Sequence, residues 1–88
     1  MNLFRLQITT PSGTVFEGEI ARFSCRGELG DFAVMAGHIP FVTYVREGIC
    51  RITDGDGNVR AATSSGGLIT VGKDVTYFLP TGFQFENE

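Results

Sequence analysis

The residues that could do chemistry are few, and the first of them is His38. It is the only histidine among 88 residues. It could act as a base or a metal ligand only with partners close to it in space, and Cys25, Cys50 and Asp31 are the candidates. Their spacing matches no zinc-binding or catalytic motif. We therefore predict a structural or interface role for His38. A small metal-dependent enzyme built on His38 and the cysteines is an alternative that metal analysis would test.

Two glycine-rich segments share the composition of ligand-binding loops. Asp54-Gly55-Asp56-Gly57-Asn58 places oxygen-bearing side chains at alternate positions, as a calcium loop does. An EF-hand loop then requires Gly and, at its twelfth position, Glu, where this chain has Val59 and Ser65. The segment Ser64-Ser65-Gly66-Gly67 lacks the lysine and the helix of a phosphate-binding P-loop. We predict a solvated hairpin turn for the first segment and a close backbone approach or bulge for the second.

The composition limits the classes of partner. The net charge is −3, and Lys73 is the only lysine, so the chain lacks the basic cluster that nucleic-acid phosphates require. Two cysteines are too few for a disulfide scaffold, which predicts buried free thiols. The N-terminus has no signal-peptide pattern, and no apolar run approaches the roughly 20 residues of a membrane span. These patterns predict a cytosolic protein without direct membrane insertion, and no motif indicates a cofactor.

Alternation of apolar and polar residues dominates the chain and predicts an all-β fold of eight to ten short strands. Phe4, Leu6 and Ile8, for example, share one face of a first strand. No window shows a helical apolar stripe, and the 12 glycines are spread over turns. Because so many short strands need a second layer to cover their apolar faces, we expect two antiparallel sheets packed as a sandwich or flattened barrel. Residues 1–88 are predicted to be one domain, with 83–88 as an edge strand or a frayed tail.

The pattern also predicts where the elements lie. Residues 27–30 are expected to form a loop. The predicted strands cover residues 4–8, 14–17, 21–25, 32–35, 41–46, 49–53, 58–63, 68–71 and 75–79.

The stretch from residue 25 to residue 40 combines polar and apolar residues. An apolar patch with a polar rim is what a protein-binding surface requires. The alternative is that Phe32, Val34 and Phe41 belong to the core. The residues concerned are Glu28, Asp31, Phe32, Val34, Met35, His38, Ile39 and Phe41.

Four ordered motifs in the chain are similar to those of one known family. They read Thr10-Pro11-Ser12-Gly13-Thr14-Val15-Phe16-Glu17-Gly18, then Gly30-Asp31-Phe32-Ala33-Val34-Met35-Ala36-Gly37-His38-Ile39-Pro40-Phe41, then Arg46-Glu47-Gly48-Ile49-Cys50-Arg51-Ile52, and finally Ser65-Gly66-Gly67-Leu68-Ile69-Thr70-Val71 with the closing strand 75–79. Together they resemble the N-terminal β-sandwich domain of the F-type ATP synthase epsilon subunit, whose mitochondrial counterpart is called delta. Ala33, Ala36 and Leu68 depart from the Gly, Pro and Phe that are usual in the family.

The resemblance implies a non-catalytic rotor subunit of the central stalk, peripheral on the cytoplasmic side of the bacterial plasma membrane. It implies the gamma subunit and the c-ring as partners, with Asp31 as the acidic contact. Typical bacterial members continue into a C-terminal helical hairpin that inhibits ATP hydrolysis. We expect a naturally short subunit without that hairpin, with a truncated chain as the other reading, and therefore expect no inhibition of ATP hydrolysis. A stand-alone protein- or carbohydrate-binding β-sandwich is the alternative. The partner-binding residues carried over by position are Gly30, Asp31, Phe32, Met35, Gly37, His38 and Pro40.

Overall fold

The computed structural model describes residues 2–86, and these residues form ten β-strands without a helix. The all-β prediction of eight to ten short strands is confirmed. The strands are β1 (Phe4–Thr10), β2 (Gly13–Ile20), β3 (Arg22–Gly27), β4 (Gly30–Met35), β5 (Phe41–Val45), β6 (Gly48–Thr53), β7 (Val59–Ser64), β8 (Gly67–Val71), β9 (Val75–Pro80) and β10 (Phe83–Phe85).

The strands form two layers that meet at one corner. The first sheet has the order β10-β7-β6-β3-β4, and the second has the order β5-β8-β9-β1-β2. A single residue pairing, Gly27 with Val45, joins them. Every pairing is antiparallel except that of β1 with β9, which is parallel from Arg5 opposite Val75 to Ile8 opposite Phe78. The result is the predicted nearly closed sandwich, with one parallel pair that the hairpin pattern could not indicate.

The core lies between the layers and follows the alternation in the sequence. Leu6 and Ile8 on β1 have no exposed surface, and neither do Phe23 on β3 and Phe78 on β9. The rings of Phe23 and Phe78 meet across the sandwich, with their centroids 5.7 Å apart. Full burial of each such side chain contributes about 1.5–3 kcal/mol, so these inward residues hold the two sheets together.

Both glycine-rich segments have the structural roles predicted for them. The Asp54 carboxylate accepts hydrogen bonds from the backbone N–H groups of Asp56 and Asn58, each at 2.9 Å. These bonds to the charged form lower the pKa of Asp54, and they fix the turn between β6 and β7. In the second segment, Gly66 has a φ of +89°, and a Cβ on it would lie 2.7 Å from the carbonyl oxygen of Val45. The close backbone approach is therefore confirmed.

One predicted boundary and one predicted loop are wrong. Residues 27–30 were expected to be a loop, but β3 continues to Gly27 and pairs with Gly30, which leaves a turn of Glu28 and Leu29 only. The strand predicted at 32–35 is confirmed and begins two residues earlier, at Gly30. These residues are strands because β3 and β4 form six residue pairs, from Arg22 opposite Met35 to Gly27 opposite Gly30. Within the segment 30–40, residues 36–40 are the part without regular structure.

The C-terminal segment forms an edge strand as far as the structure describes it. β10 pairs with β7 from Phe83 opposite Ser64 to Phe85 opposite Ala62. The Phe85 ring lies 6.2 Å from that of Phe16 on β2, so it closes the sandwich at the corner away from the Gly27–Val45 pairing. The edge-strand alternative is confirmed for 83–85, and residues 87 and 88 lie outside the described residues.

Candidate partner-binding site

An open cleft of about 600 Å³ lies beside the β3–β4 hairpin and the start of β5. We call it the hairpin cleft. The structure brings four of the predicted contact residues together here, because β4 runs alongside β3 and residues 36–40 fold back towards β5. These four are Gly30, Asp31, Phe32 and His38.

Aromatic rings form one wall of the hairpin cleft. Phe32 meets Phe41 edge to face at 6.1 Å, and the His38 ring lies 5.0 Å from that of Phe41. Both phenylalanines are half-buried and pack against the core, so the core supports the wall. A Cβ on Gly27 would come within 2.8 Å of the Phe32 ring, so the glycine allows this ring to lie close to β3. His38 is exposed, and its Nδ1 is 3.0 Å from the Ile39 carbonyl oxygen.

The rim of the hairpin cleft is acidic and apolar. Glu28 and Asp31 are exposed there. The single ion pair among residues 2–86 joins Arg5 to Glu17 at 2.8 Å on other strands, so it uses neither of these carboxylates. A partner can therefore meet both carboxylates directly.

Leu29 is a site residue that the sequence reasoning did not include. Its side chain is fully exposed at the tip of the hairpin turn, with a relative accessibility of 104%. Ile39 is 79% exposed and Val42, which also lines the cleft, is 60% exposed. The sequence feature that indicates Leu29 as a contact residue is a leucine placed in a turn between Glu28 and Gly30. Large apolar side chains held this far into solvent are typical of interaction sites when they cluster.

The other three predicted contact residues lie outside the hairpin cleft. Met35 ends β4 on the outer face of the first sheet, opposite Arg22. Gly37 has a φ of +82°, which a glycine adopts without strain, and it turns the chain so that the His38 N–H reaches the Met35 carbonyl oxygen at 3.3 Å. Pro40 is exposed just before β5. Gly37 therefore positions His38, while Met35 belongs to a neighbouring surface.

The candidate metal ligands do not form a site in the part of the chain that the structure describes. No three His, Cys, Asp or Glu side chains among residues 2–86 are grouped so as to hold a metal ion. His38 is exposed, whereas Cys25 and Cys50 are buried and free. Within the same residues no helix is long and apolar enough to cross a membrane.

The buried thiols make the stability of the domain sensitive to alkaline pH. Burial raises the pKa of Cys50 to about 11, against a hydrogen bond with Ser64 that lowers it. Burial, followed by the neighbouring Cys50 and Asp31, also raises the pKa of Cys25. Unfolded thiols ionise at their ordinary lower pKa, so above about pH 9 the unfolded chain holds fewer protons than the folded domain. Folding stability must therefore fall as the pH rises.

We expect each buried thiol to lower the free energy of unfolding by about 2 kcal/mol between about pH 8.5 and pH 10.5. Urea denaturation curves, monitored by circular dichroism at several pH values, measure this change in the free energy of unfolding. The matched control is the double variant Cys25→Ala with Cys50→Ala, which should lose most of this slope whatever its stability at neutral pH. An equal slope in both proteins would show that the thiols are not the cause.

A second apolar surface covers the outer face of the second sheet, and we call it the apolar sheet face. The pairings of β5 with β8 and of β8 with β9 put Tyr44, Leu68 and Leu79 in one row. Tyr77 lies in the next row, which begins at Val42. These five side chains are between 43% and 60% exposed. Because Val42 also lines the hairpin cleft, the two surfaces are continuous.

Comparison with known proteins identifies relatives of the sequence. Residues 3–81 match the family model for the ATP synthase delta/epsilon chain β-sandwich domain. The ATP synthase epsilon chain of Clostridium perfringens (strain SM101 / Type A) is 32% identical over 88 residues, which is all of this chain and 66% of the relative. That of Bacillus velezensis is 36% identical over 74 residues, or 84% of this chain and 55% of the relative. The chain thus spans just under two thirds of the first relative and about half of the second.

Solved structures share the fold. A chain in the cryo-EM structure of Euglena gracilis mitochondrial ATP synthase (OSCP, F1 and c-ring) has a TM-score of 0.89 at 21% identity, covering 94% of this chain and 53% of that one. A chain in the Tetrahymena thermophila mitochondrial ATP synthase central stalk and c-ring has a TM-score of 0.76 at 10% identity, covering 91% and 64%. These likenesses establish the β-sandwich fold, and the sequence match establishes the family. The chain belongs to the ATP synthase delta/epsilon family and carries its β-sandwich domain.

Proposed function

We propose that this domain is a non-catalytic part of an ATP synthase rotor, where it links the gamma subunit to the c-ring and supports the coupling of ion transport to ATP synthesis. The observation that carries the proposal is the pair of continuous surfaces, the hairpin cleft and the apolar sheet face, which share Val42. A subunit that links two partners needs two surfaces. A domain with a principal-axis extent of 29 Å can offer both at once.

The hairpin cleft is suited to the polar surface of a ring of subunits. Asp31 presents its carboxylate from a strand that is paired with β3 along its whole length, so the backbone that carries the charge is held in place. Charge-assisted hydrogen bonds to donors on the ring would define the register between the two bodies. The aromatic wall of Phe32, Phe41 and His38 supplies apolar contact beside the charge.

The apolar sheet face is suited to the gamma subunit. Its tyrosines, Tyr44 and Tyr77, combine large contact area with a polar hydroxyl, and such residues are enriched in protein interfaces. Docking there leaves the hairpin cleft directed towards the ring. In a bacterial cell this arrangement places the domain on the cytoplasmic side of the plasma membrane, as a peripheral part of the complex.

Co-purification tests the proposal. Tagged wild-type protein is mixed with its cognate gamma subunit and, separately, with a gamma and c-ring rotor complex in detergent. We expect capture of gamma alone and tighter capture of the full rotor, because the second surface then adds its contacts. A folded protein that captures neither partner would contradict the proposal and favour the stand-alone binding module, for which glycan or peptide binding to the monomer is the next measurement.

A further inference from the structure

A groove of about 500 Å³ runs over the outer face of the first sheet, away from the core. We call it the arginine groove, because Arg22 on β3 and Arg51 on β6 stand on it. Ser24 and Ala33 form its floor, and Asp31 and Val59 stand at its edges. The function proposed above uses neither arginine.

The register of the strands explains why small residues form the floor of the arginine groove and why the two arginines rise above them. Ser24 pairs with Ala33 on one side and with Arg51 on the other, and Arg51 pairs in turn with Ala61. The Arg51 side chain thus has only small neighbours in its row. Arg22 lies in the adjacent row opposite Thr53, so the two guanidinium groups are diagonal neighbours across two strands. The backbones of such diagonal neighbours are about 7–8 Å apart, so two long arginine side chains that start from them can both reach one bound carboxylate.

The outer face of the first sheet is basic, although the chain as a whole is acidic. Arg22, Arg26 and Arg51 point outward on the first sheet, which makes three of the seven basic residues of a chain with a net charge of −3. Asp31, opposite Arg26, is the acid beside them. The single ion pair of residues 2–86 is Arg5 with Glu17, so neither Arg22 nor Arg51 has a carboxylate within 4.0 Å. Two like charges held close together favour an anionic partner.

The groove is continuous with the candidate contact site. Strand β4 separates the arginine groove from the hairpin cleft. Both are lined by the same three of its residues, which are Asp31, Phe32 and Ala33. A partner seated in the cleft that extends across β4 therefore enters the groove.

A protein partner fits the arginine groove better than an anionic lipid membrane does. Apolar side chains at the edges of the groove, such as Val59, offer contacts that lipid headgroups would not use. The Asp31 carboxylate at the same edge would repel a flat anionic membrane.

We propose that the arginine groove holds an acidic segment of the protein partner that occupies the hairpin cleft, with a carboxylate paired to Arg51 and Arg22. This inference rests on the proposed rotor function and gives the chemistry of its partner. Arginine suits the role because its planar guanidinium binds a carboxylate through two parallel hydrogen bonds, a geometry that lysine lacks.

Binding to the cognate gamma and c-ring rotor complex, measured for charge variants, tests this inference. Arg51→Glu should weaken the affinity at least about tenfold, and Arg51→Lys should weaken it less. Lys73→Glu is the matched control, since it makes the same charge change on the β8–β9 turn and should stay within about twofold of wild type. Wild-type binding should also fall more steeply with salt than that of Arg51→Glu. Arg22→Glu replaces Arg51→Glu if the latter does not fold.

The outcomes separate the inference from the function on which it rests. If wild type binds the rotor and Arg51→Glu binds equally well, the inference is wrong and the rotor function stands. If folded wild type does not bind the rotor, both are overturned. Sedimentation with vesicles of phosphatidylglycerol and phosphatidylcholine is the second arm. Arginine-dependent binding to the anionic vesicles, with rotor binding unchanged by Arg51→Glu, would assign the groove to lipid and overturn the inference.

Discussion

Gly67→Ala is expected to destabilise the domain by about 3 kcal/mol or more, which is a large part of the stability of a domain this small. A Cβ on Gly67 would overlap the carbonyl oxygen of Leu79 and come within 2.7 Å of the Pro80 Cα. Both atoms belong to the backbone of β9, which pairs with β8 from Gly67 opposite Pro80 onward. Because backbone cannot rotate away as a side chain can, the methyl group must separate β8 from β9 at the centre of the second sheet.

Urea unfolding of the two proteins by circular dichroism measures the effect, and Gly18→Ala is the matched control. A Cβ on Gly18 has only the Phe16 ring near it, at 3.7 Å, which is ordinary contact. That variant should lie within about 1 kcal/mol of wild type, because alanine also reduces the freedom of the unfolded chain. Similar stabilities for Gly67→Ala and Gly18→Ala would mean that the β8–β9 approach can relax, contrary to this argument.

Asp31→Arg combined with His38→Ala should reduce binding to the rotor complex by about tenfold to a hundredfold and abolish coupled ATP synthesis in the cognate enzyme. The first change reverses the charge presented beside the hairpin cleft, so donors on the partner meet a like charge. The second removes the ring that packs 5.0 Å from Phe41. Both side chains are exposed, so the fold should be unaffected.

Rotor capture and ion-driven ATP synthesis in reconstituted enzyme are the readouts for this double variant. Glu19→Arg is the charge-reversal control, because Glu19 is exposed on β2, far along the second sheet from β5. It should assemble and couple like wild type. Normal assembly and coupling by the double variant would show that the hairpin cleft is not the contact site, and the apolar sheet face would then be the next surface to substitute.

The sequence by itself determined the features that depend on neighbouring residues. Phe4, Leu6 and Ile8 alternate with polar residues, and a period of two places them on one face of any strand they form. The turn at Asp54 needs only the backbone donors two and four residues along. The Ser-Gly-Gly segment indicated a close backbone approach because side chains are absent there. Four motifs in order were sufficient for the family, since each marks a local requirement of the fold.

The tertiary structure alone decided which distant residues meet. The parallel pairing of β1 with β9 joins residues about 70 positions apart, and the choice between strand partners depends on the packing of the whole sandwich. That packing put His38 on Phe41, left Leu29 in solvent at the hairpin tip, and made Arg22 and Arg51 diagonal neighbours across β3 and β6. Alternation shows that a strand residue faces outward, but it cannot name its neighbour on the next strand. The contact surfaces consist of residues that are neighbours on adjacent strands. The sequence therefore indicated the individual exposed residues but not the sites that they form together.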